Sequence, residues 1–377
     1  MTARRRRRRL GETALAATLA AALPRGTRAA GPTAWPGTPH VFPAADPAYR
    51  LTFPRDYGAH PAYRTEWWYV TGWLDGRIGF QLTFFRVRTG HPDGNPSRFA
   101  PTELLFAHAA LMVPARATPL HAERSSRLGA AGVSASPSDT ALTLGDWSLV
   151  RAPDDRYRAR VADAAVALDL TLTPVTPTPW LQGEHGFSRK GPLPEQASHY
   201  YSRPQLAVAG TIHERPDERG GSARPVRGNA WFDHEWSTTV LDPEAAGWDW
   251  TGLNLDDGSA LVAFRIRRRG SRPDEPIWSY AAHWWPDGRR QPLAAVRFQP
   301  LREWRSPRTG GRYPVAMRLI LPDRTLTLEP LFDDQELDSR GSTGTIYWEG
   351  AVTALQDGRR VGAGYLELTG YQGRLRL

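Results

Sequence analysis

Apolar residues in this chain recur at every second position from Tyr63 almost to the C-terminus, the period of β-strands rather than of helices. The first clear case is Glu66-Trp67-Trp68-Tyr69-Val70-Thr71-Gly72-Trp73-Leu74, aromatic and β-branched. It ends at Asp75-Gly76, a hairpin turn signal. Ile78–Val87 follows, with Gln81, Thr83 and Phe85 on one face and Leu82, Phe84 and Arg86 on the other. The pattern predicts further strands at Leu104–Val113, Leu142–Val150, Tyr157–Ala162, Val166–Pro174, Ser198–Ser202 and Leu206–Ile212. The second half repeats the style at Trp248–Leu255, Ser259–Arg267, Ile277–Trp285, Val296–Pro300, Val315–Ile320, Thr325–Pro330, Ile346–Ala354 and Gly362–Tyr371. No amphipathic stripe of helical period intervenes, and the glycines and prolines of 215–226 mark a connection.

The fold class is therefore all-β with antiparallel strands. Such a chain must close or cover its sheet edges, and 377 residues suffice for two consecutive barrels or closed sandwiches. The predicted division is 51–238 and 239–377, preceded by a linker at 31–50. The 33 Pro and 35 Gly suit many short strands and turns.

Two features of composition narrow the function. There is no cysteine, which removes disulfides, thiolate nucleophiles and zinc–sulfur sites. The net charge of +9 suggests a nucleic-acid binder until its location is considered. The first thirty residues hold eight arginines and one glutamate, so the remainder carries only about +2, and no basic groove is expected. Residues 1–30 instead read as an export signal of the twin-arginine type: Arg4–Arg9, a weakly apolar stretch Leu10–Leu23, then small residues around Ala22–Ala30. No other stretch is long and apolar enough to span a membrane. The expected location is periplasmic or extracellular.

Candidate chemistry gathers in Gly228–Leu253, where Asp233, His234, Glu235 and Asp249 stand among Trp231, Trp236, Trp248 and Trp250. Indole surroundings raise carboxyl pKa values and lower those of histidine, which tunes groups for proton transfer. In a strand, Asp233, Glu235 and Ser237 share one face, and Phe232, His234 and Trp236 the other. A second cluster is Thr65–Tyr69, where Glu66 is either paired with an arginine such as Arg86 or functional. Tyr200 and Tyr201 add paired phenols. His234-Glu235 begins like the zinc motif H-E-x-x-H, but Thr238 stands where its second histidine belongs. Gly186-Phe187-Ser188 lacks the final glycine of a nucleophile elbow. No glycine-rich phosphate loop or dinucleotide fingerprint is present, and neither a metal nor an organic cofactor is expected.

Tyr63–Tyr69, Gly79–Arg86, Tyr200-Tyr201-Ser202 and Trp231-Phe232-Asp233-His234-Glu235-Trp236 resemble the carotenoid 1,2-hydratase superfamily. That superfamily is also called hydroxyneurosporene synthase-like or AttH-like. Gly247–Trp250, Tyr347-Trp348-Glu349-Gly350 and Gly364–Tyr371 match its second half, so the resemblance runs from about Phe53 to Tyr371. It implies two lipocalin-like β-barrels with a pocket near their interface, lined by Glu66, His234, Trp236 and Asp249. The closer likeness is to the exported AttH-like branch. The carotenoid enzymes add water across a carbon–carbon double bond without a cofactor.

On that model Asp249 is the candidate acid, and His234 or Glu66 activates water. Trp67, Trp68, Gln81, Tyr200, Tyr201, Trp236, Trp248 and Trp250 contact a hydrophobic polyene, terpenoid or lipid-like ligand. Two other readings stay open: a lipid-like ligand carrier without chemistry, and a secreted hydrolase in which Asp233 or Glu235 activates water.

Overall fold

The computed structural model describes residues 41–91, 101–214, 223–270, 275–293 and 296–373. The arginine-rich segment expected to be an export signal lies outside these residues, as does most of the glycine–proline connection. Strand is the dominant element, no α-helix occurs among the described residues, and no helix there is long and apolar enough to cross a membrane.

The strands form two curled antiparallel sheets, a nearly closed barrel and a half-barrel, in a lipocalin-like arrangement. The first sheet has 13 strands between Thr65 and Ser237, the second 10 strands between Ala245 and Leu368. Each curls so that its first strand pairs with its last. Thr65–Leu74 lies beside Arg224–Ser237, and Ala245–Leu255 beside Arg359–Leu368. Pairing of this kind hides backbone groups that an open edge would leave exposed.

The strands show two burial patterns. Tyr157–Ala162 alternates strictly between buried and exposed positions, because one face fills the first barrel and the other meets solvent. Thr65–Leu74 and Ile78–Arg88 are buried on both faces, because the second sheet packs on their outer side. Their inward faces join Trp68, Val70, Phe80, Leu82 and Phe84 to the first core. Their outward faces supply Tyr69 to a separate cluster with Trp231, Trp250, Phe264 and Tyr365. Burying each such ring contributes about 1.5–3 kcal/mol.

The hairpin at Asp75-Gly76 forms as predicted, with φ of 51° and 67°, the left-handed pair of a tight hairpin turn. Several boundaries differ from expectation, and in two places the strands are divided differently. Ser198–Ser202 and Leu206–Ile212 belong to one strand, Ala197–Glu214. Its pairing slips between Arg203 and Leu206, where Pro204 and the left-handed Gln205 (φ 56°) form a bulge. The bulge has a use, since Gln205 N–H donates to Asn254 Oδ1 at 2.9 Å and so joins the two sheets. Leu142–Val150 is instead a hairpin of Ala141–Leu144 and Trp147–Arg151, turned at Gly145 (φ 66°). Strand Leu120–Arg127 was not predicted, being mostly polar.

Candidate active site between the sheets

Glu66, at the start of the first strand, turns its carboxylate into the first barrel. Its Oε1 meets His60 Nδ1 and His234 Nε2, both at 2.8 Å, and its Oε2 accepts Arg86 Nε at 2.8 Å. His60 Nε2 lies 3.2 Å from Asp56, and the Tyr201 hydroxyl is 3.1 Å from His234 Nδ1. Trp236 stacks on His60 at 3.6 Å and Trp68 on His234 at 4.6 Å.

Burial opposes charge on Glu66, but Arg86, His60 and the histidine hydrogen bonds outweigh it and hold its pKa well below the usual value. Burial also opposes charge on His60, yet Glu66 and Asp56 raise its pKa. Burial wins at His234, whose pKa falls to about 4 despite Glu66. Asp56, His60, Glu66 and Arg86 thus form a buried polar network, which Arg55 extends from Asp56 at 2.8 Å and Glu103 from Arg86 at 3.3 Å. His60, Glu66 and His234 do offer three ligating atoms within 4.8 Å. A metal there would have to displace the protons that join the two imidazoles to Glu66 Oε1.

Asp249 lies elsewhere. The expectation that Trp248 and Trp250 surround it overlooked strand alternation: residues next in sequence point to the opposite face. Its carboxylate accepts Arg265 Nε at 2.6 Å, Arg267 Nε at 2.9 Å and the Tyr371 hydroxyl at 3.0 Å. Glu66, His234 and Asp249 therefore do not meet in one cavity. His234 and Trp236 do share a face, as expected, but it is the barrel-core face.

A cavity of about 290 Å³ opens between the sheets. The first sheet contributes Trp67, Tyr69, Phe85, Tyr200, Asp233 and Glu235, and Lys190 reaches in from an adjoining loop. The second contributes Trp248, Trp250, Phe264, Tyr347, Glu349 and Glu367. Strand pairing fixes these sets, since Tyr69 is opposite Asp233, Trp67 and Tyr200 are both opposite Glu235, and Glu349 is opposite Glu367.

The cavity's carboxyl groups are in unlike states. Asp233 accepts Tyr200 O–H at 2.8 Å, Ser202 O–H at 2.5 Å and Trp231 Nε1–H at 2.7 Å. Burial outweighs these three bonds and pushes its pKa up to about 7. Glu235 forms an ion pair with Lys190 at 2.9 Å, and that ammonium also sits 4.6 Å from the Tyr200 ring and 4.2 Å from that of Phe264. Glu349 is buried opposite Glu367. Desolvation, then the neighbouring charge, raises its pKa well above the usual value against the Tyr69 and Tyr347 hydroxyls. Burial raises Glu367 too, against the Trp248 indole N–H. Acids with raised pKa values in apolar surroundings are suited to donating a proton.

Among the residues predicted to touch a ligand, Trp67, Tyr200, Trp248 and Trp250 border this cavity. Trp68, Tyr201 and Trp236 lie in the first barrel core. Gln81 is buried on the same strand face as Thr83, to whose Oγ1 it donates, but is not part of the cavity wall. Glu66 borders the cavity while its carboxylate is engaged on the barrel side. Lys190, Glu349 and Glu367 were missed as site residues. Glu349 and Glu367 are single acids in otherwise apolar strands, Ile346–Ala354 and Gly362–Tyr371, and that signal could have found them.

Fold and site together define a lipocalin-like protein of two sheets with an acid-lined apolar cavity between them. The chain belongs to the AttH-like family, whose model matches residues 44–371. A putative AttH from Nitrosomonas europaea is 48% identical, with a TM-score of 0.80 over 88% of this chain and 100% of that one. Kievitone hydratase from Nectria haematococca shares the fold at 15% identity and TM-score 0.62, covering 89% of this chain and 98% of its own. CghA with Sch210972 shares it at 15% identity and TM-score 0.53, covering 83% and 90%. No curated protein sequence matches the chain.

Proposed function

We propose that this protein is an exported, cofactor-free hydratase-type enzyme acting on a hydrophobic polyene, terpenoid or lipid-like alkene in the cavity between its sheets. The observation that carries this reading is the Glu349–Glu367 pair set in an apolar space walled by the indoles of Trp67, Trp248 and Trp250. The leader arginines support export, and the hydratase fold of a distant relative agrees with the chemistry. At about 290 Å³ the cavity is at the small end for ligand sites. It suits a small terpenoid or the end of a longer chain.

In the proposed reaction the protonated member of the pair gives its proton to one alkene carbon. The indoles of Trp67, Trp248 and Trp250 stabilise the resulting carbocation by about 0.5–2 kcal/mol each. Water adds to the cation and passes a proton to ionised Asp233, directly or through the Tyr200 hydroxyl, leaving an alcohol. The reverse sequence removes water. General acid–base help of this kind gives about 10²–10⁴-fold, and exclusion of bulk water adds to it.

The test is organic extraction of the purified protein with mass spectrometry, then incubation of the recovered compound in isotopically heavy water. Gain of one heavy-oxygen water by wild type and none by Glu349→Gln is the expected result. Equal retention of the compound by both proteins with no mass gain makes it a carrier. Unimpaired turnover by Glu349→Gln refutes the acid assignment.

A further inference from the structure

The reaction above leaves a proton imbalance: each turnover removes a proton from the Glu349–Glu367 pair and leaves one on the opposite wall. Glu349 is 1% exposed, and an apolar ligand would displace cavity water from beside it. A chain of polar groups leads away from this carboxyl toward the surface. Tyr347 stands two residues before Glu349 on the strand Thr345–Gln356 and borders the same cavity, and its hydroxyl is 2.9 Å from His108 Nδ1. His108 Nε2 is 2.8 Å from Ser342 Oγ, and that hydroxyl donates to Glu123 Oε2 at 2.5 Å. Glu123 is partly exposed on strand Leu120–Arg127, an end strand of the first sheet. Ser342 lies in the turn between Glu336–Ser339 and Thr345–Gln356 of the second.

A serine beside a neutral histidine also suggests a nucleophile. Two observations oppose that. The serine proton is already directed at Glu123. The amides of Ser342, Thr343 and Gly344, which would have to stabilise an oxyanion, all donate to the Ser339 carbonyl, at 3.3, 3.0 and 3.1 Å.

We propose that Glu123, Ser342, His108 and Tyr347 form a proton relay that recharges the buried Glu349 from the protein surface while a ligand occupies the cavity. This rests on the proton-transfer reading of the cavity. Each intermediate member can donate one hydrogen bond and accept another, so the row has two consistent orientations. In the first, Glu349 O–H donates to Tyr347, Tyr347 to His108 Nδ1, His108 Nε2–H to Ser342, and Ser342 to the Glu123 carboxylate. In the second, a protonated Glu123 donates to Ser342 and every bond is reversed, ending with Tyr347 O–H donating to the Glu349 carboxylate. Passage between them moves one proton across and changes no heavy-atom bond. A relay histidine must be neutral, with one N–H and one lone pair. Burial, aided by His121, holds His108 in that form by pulling its pKa down to about 3.

The test follows the carbonyl stretch of protonated Glu349 by infrared spectroscopy on transfer of the intact protein into heavy water, with Glu349→Gln assigning the band. The deuterium shift of the band reads proton exchange at that carboxyl without needing the natural ligand. Ser342→Ala and Tyr347→Phe each interrupt the relay, and each is expected to slow exchange by about tenfold or more. Ser339→Ala removes a hydroxyl 3.5 Å from His108 Nδ1 but outside the row, and is expected to exchange at the wild-type rate. A variant loosened in structure would exchange faster, not slower, so slowing is not a trivial consequence of damage. Wild-type exchange rates in both Ser342→Ala and Tyr347→Phe overturn the relay and make the cavity the route. Absence of an acid band removed by Glu349→Gln overturns instead the function on which the relay rests.

Discussion

Glu349 and Glu367 are directly paired on neighbouring antiparallel strands, on the face turned to the cavity. Such positions place Cβ atoms about 4.5–5.5 Å apart, where like charges repel. Burial raises both pKa values, helped at Glu349 by the charge of Glu367 and at Glu367 by those of Glu235 and Asp249. A carboxyl whose folded pKa is raised stabilises the protein fully below its unfolded value, here 4.5. That contribution is lost as pH rises through the folded value. Glu367→Gln has no proton to lose and should gain stability relative to wild type from mildly acidic to mildly alkaline pH. The gain should reach about 1.4 kcal/mol per pH unit while one proton is at stake. Paired thermal melts across this range check it, and a stability difference independent of pH contradicts the shared-proton account.

Asp233 gives a second pH signal, with its pKa pushed up to about 7. Because Trp231 donates to its carboxyl at 2.7 Å, indole emission should change in a step centred near pH 7. Asp233→Asn should abolish that step. The amide places a donor among three groups that already donate, so the variant should also lose about 1–3 kcal/mol. Fluorescence titration of the two proteins decides it. A step that persists in Asp233→Asn belongs to another group.

The strands and the two curled sheets were legible because alternation survives wherever one face meets solvent, as in Tyr157–Ala162. Of the aromatic residues singled out in the sequence, Trp67, Tyr200, Trp248 and Trp250 border the cavity. What alternation could not tell was which face of a doubly buried strand looks into the barrel and which toward the second sheet. For Thr65–Leu74 both faces are aromatic, and Trp67 and Trp68 parted to different sides. Asp249 was misplaced for a simpler reason, since its flanking indoles are across the strand from it. Lys190 carried no local pattern, because its position depends on contacts distant in sequence.

The close approach of the sheets gives a mechanical prediction. A Cβ at Gly79 would stand 2.6 Å from Ala351 Cβ and 2.6 Å from the Tyr365 hydroxyl, so only a glycine fits without displacing the second sheet. Gly79→Val should cost about 1–3 kcal/mol by overpacking and should weaken uptake of an apolar dye into the cavity. Thermal melts and dye fluorescence test both effects. Unchanged stability would mean that the two sheets are not held at this distance.

Asp249 separates a structural acid from a reactive one. Its carboxylate binds Arg265 and Arg267, is itself fully buried, and faces away from Trp248 and Trp250. Asp249→Asn removes the counter-charge of two guanidiniums and should destabilise the protein by about 3–5 kcal/mol. Below its lowered melting temperature the variant should still take up the same apolar dye and turn over the recovered ligand at a near wild-type rate. Glu349→Gln should do the opposite, keeping stability and losing turnover. Measuring melting temperature, dye affinity and turnover on the two variants distinguishes the roles. A stable Asp249→Asn without turnover would return the acid to Asp249 and take it from the pair.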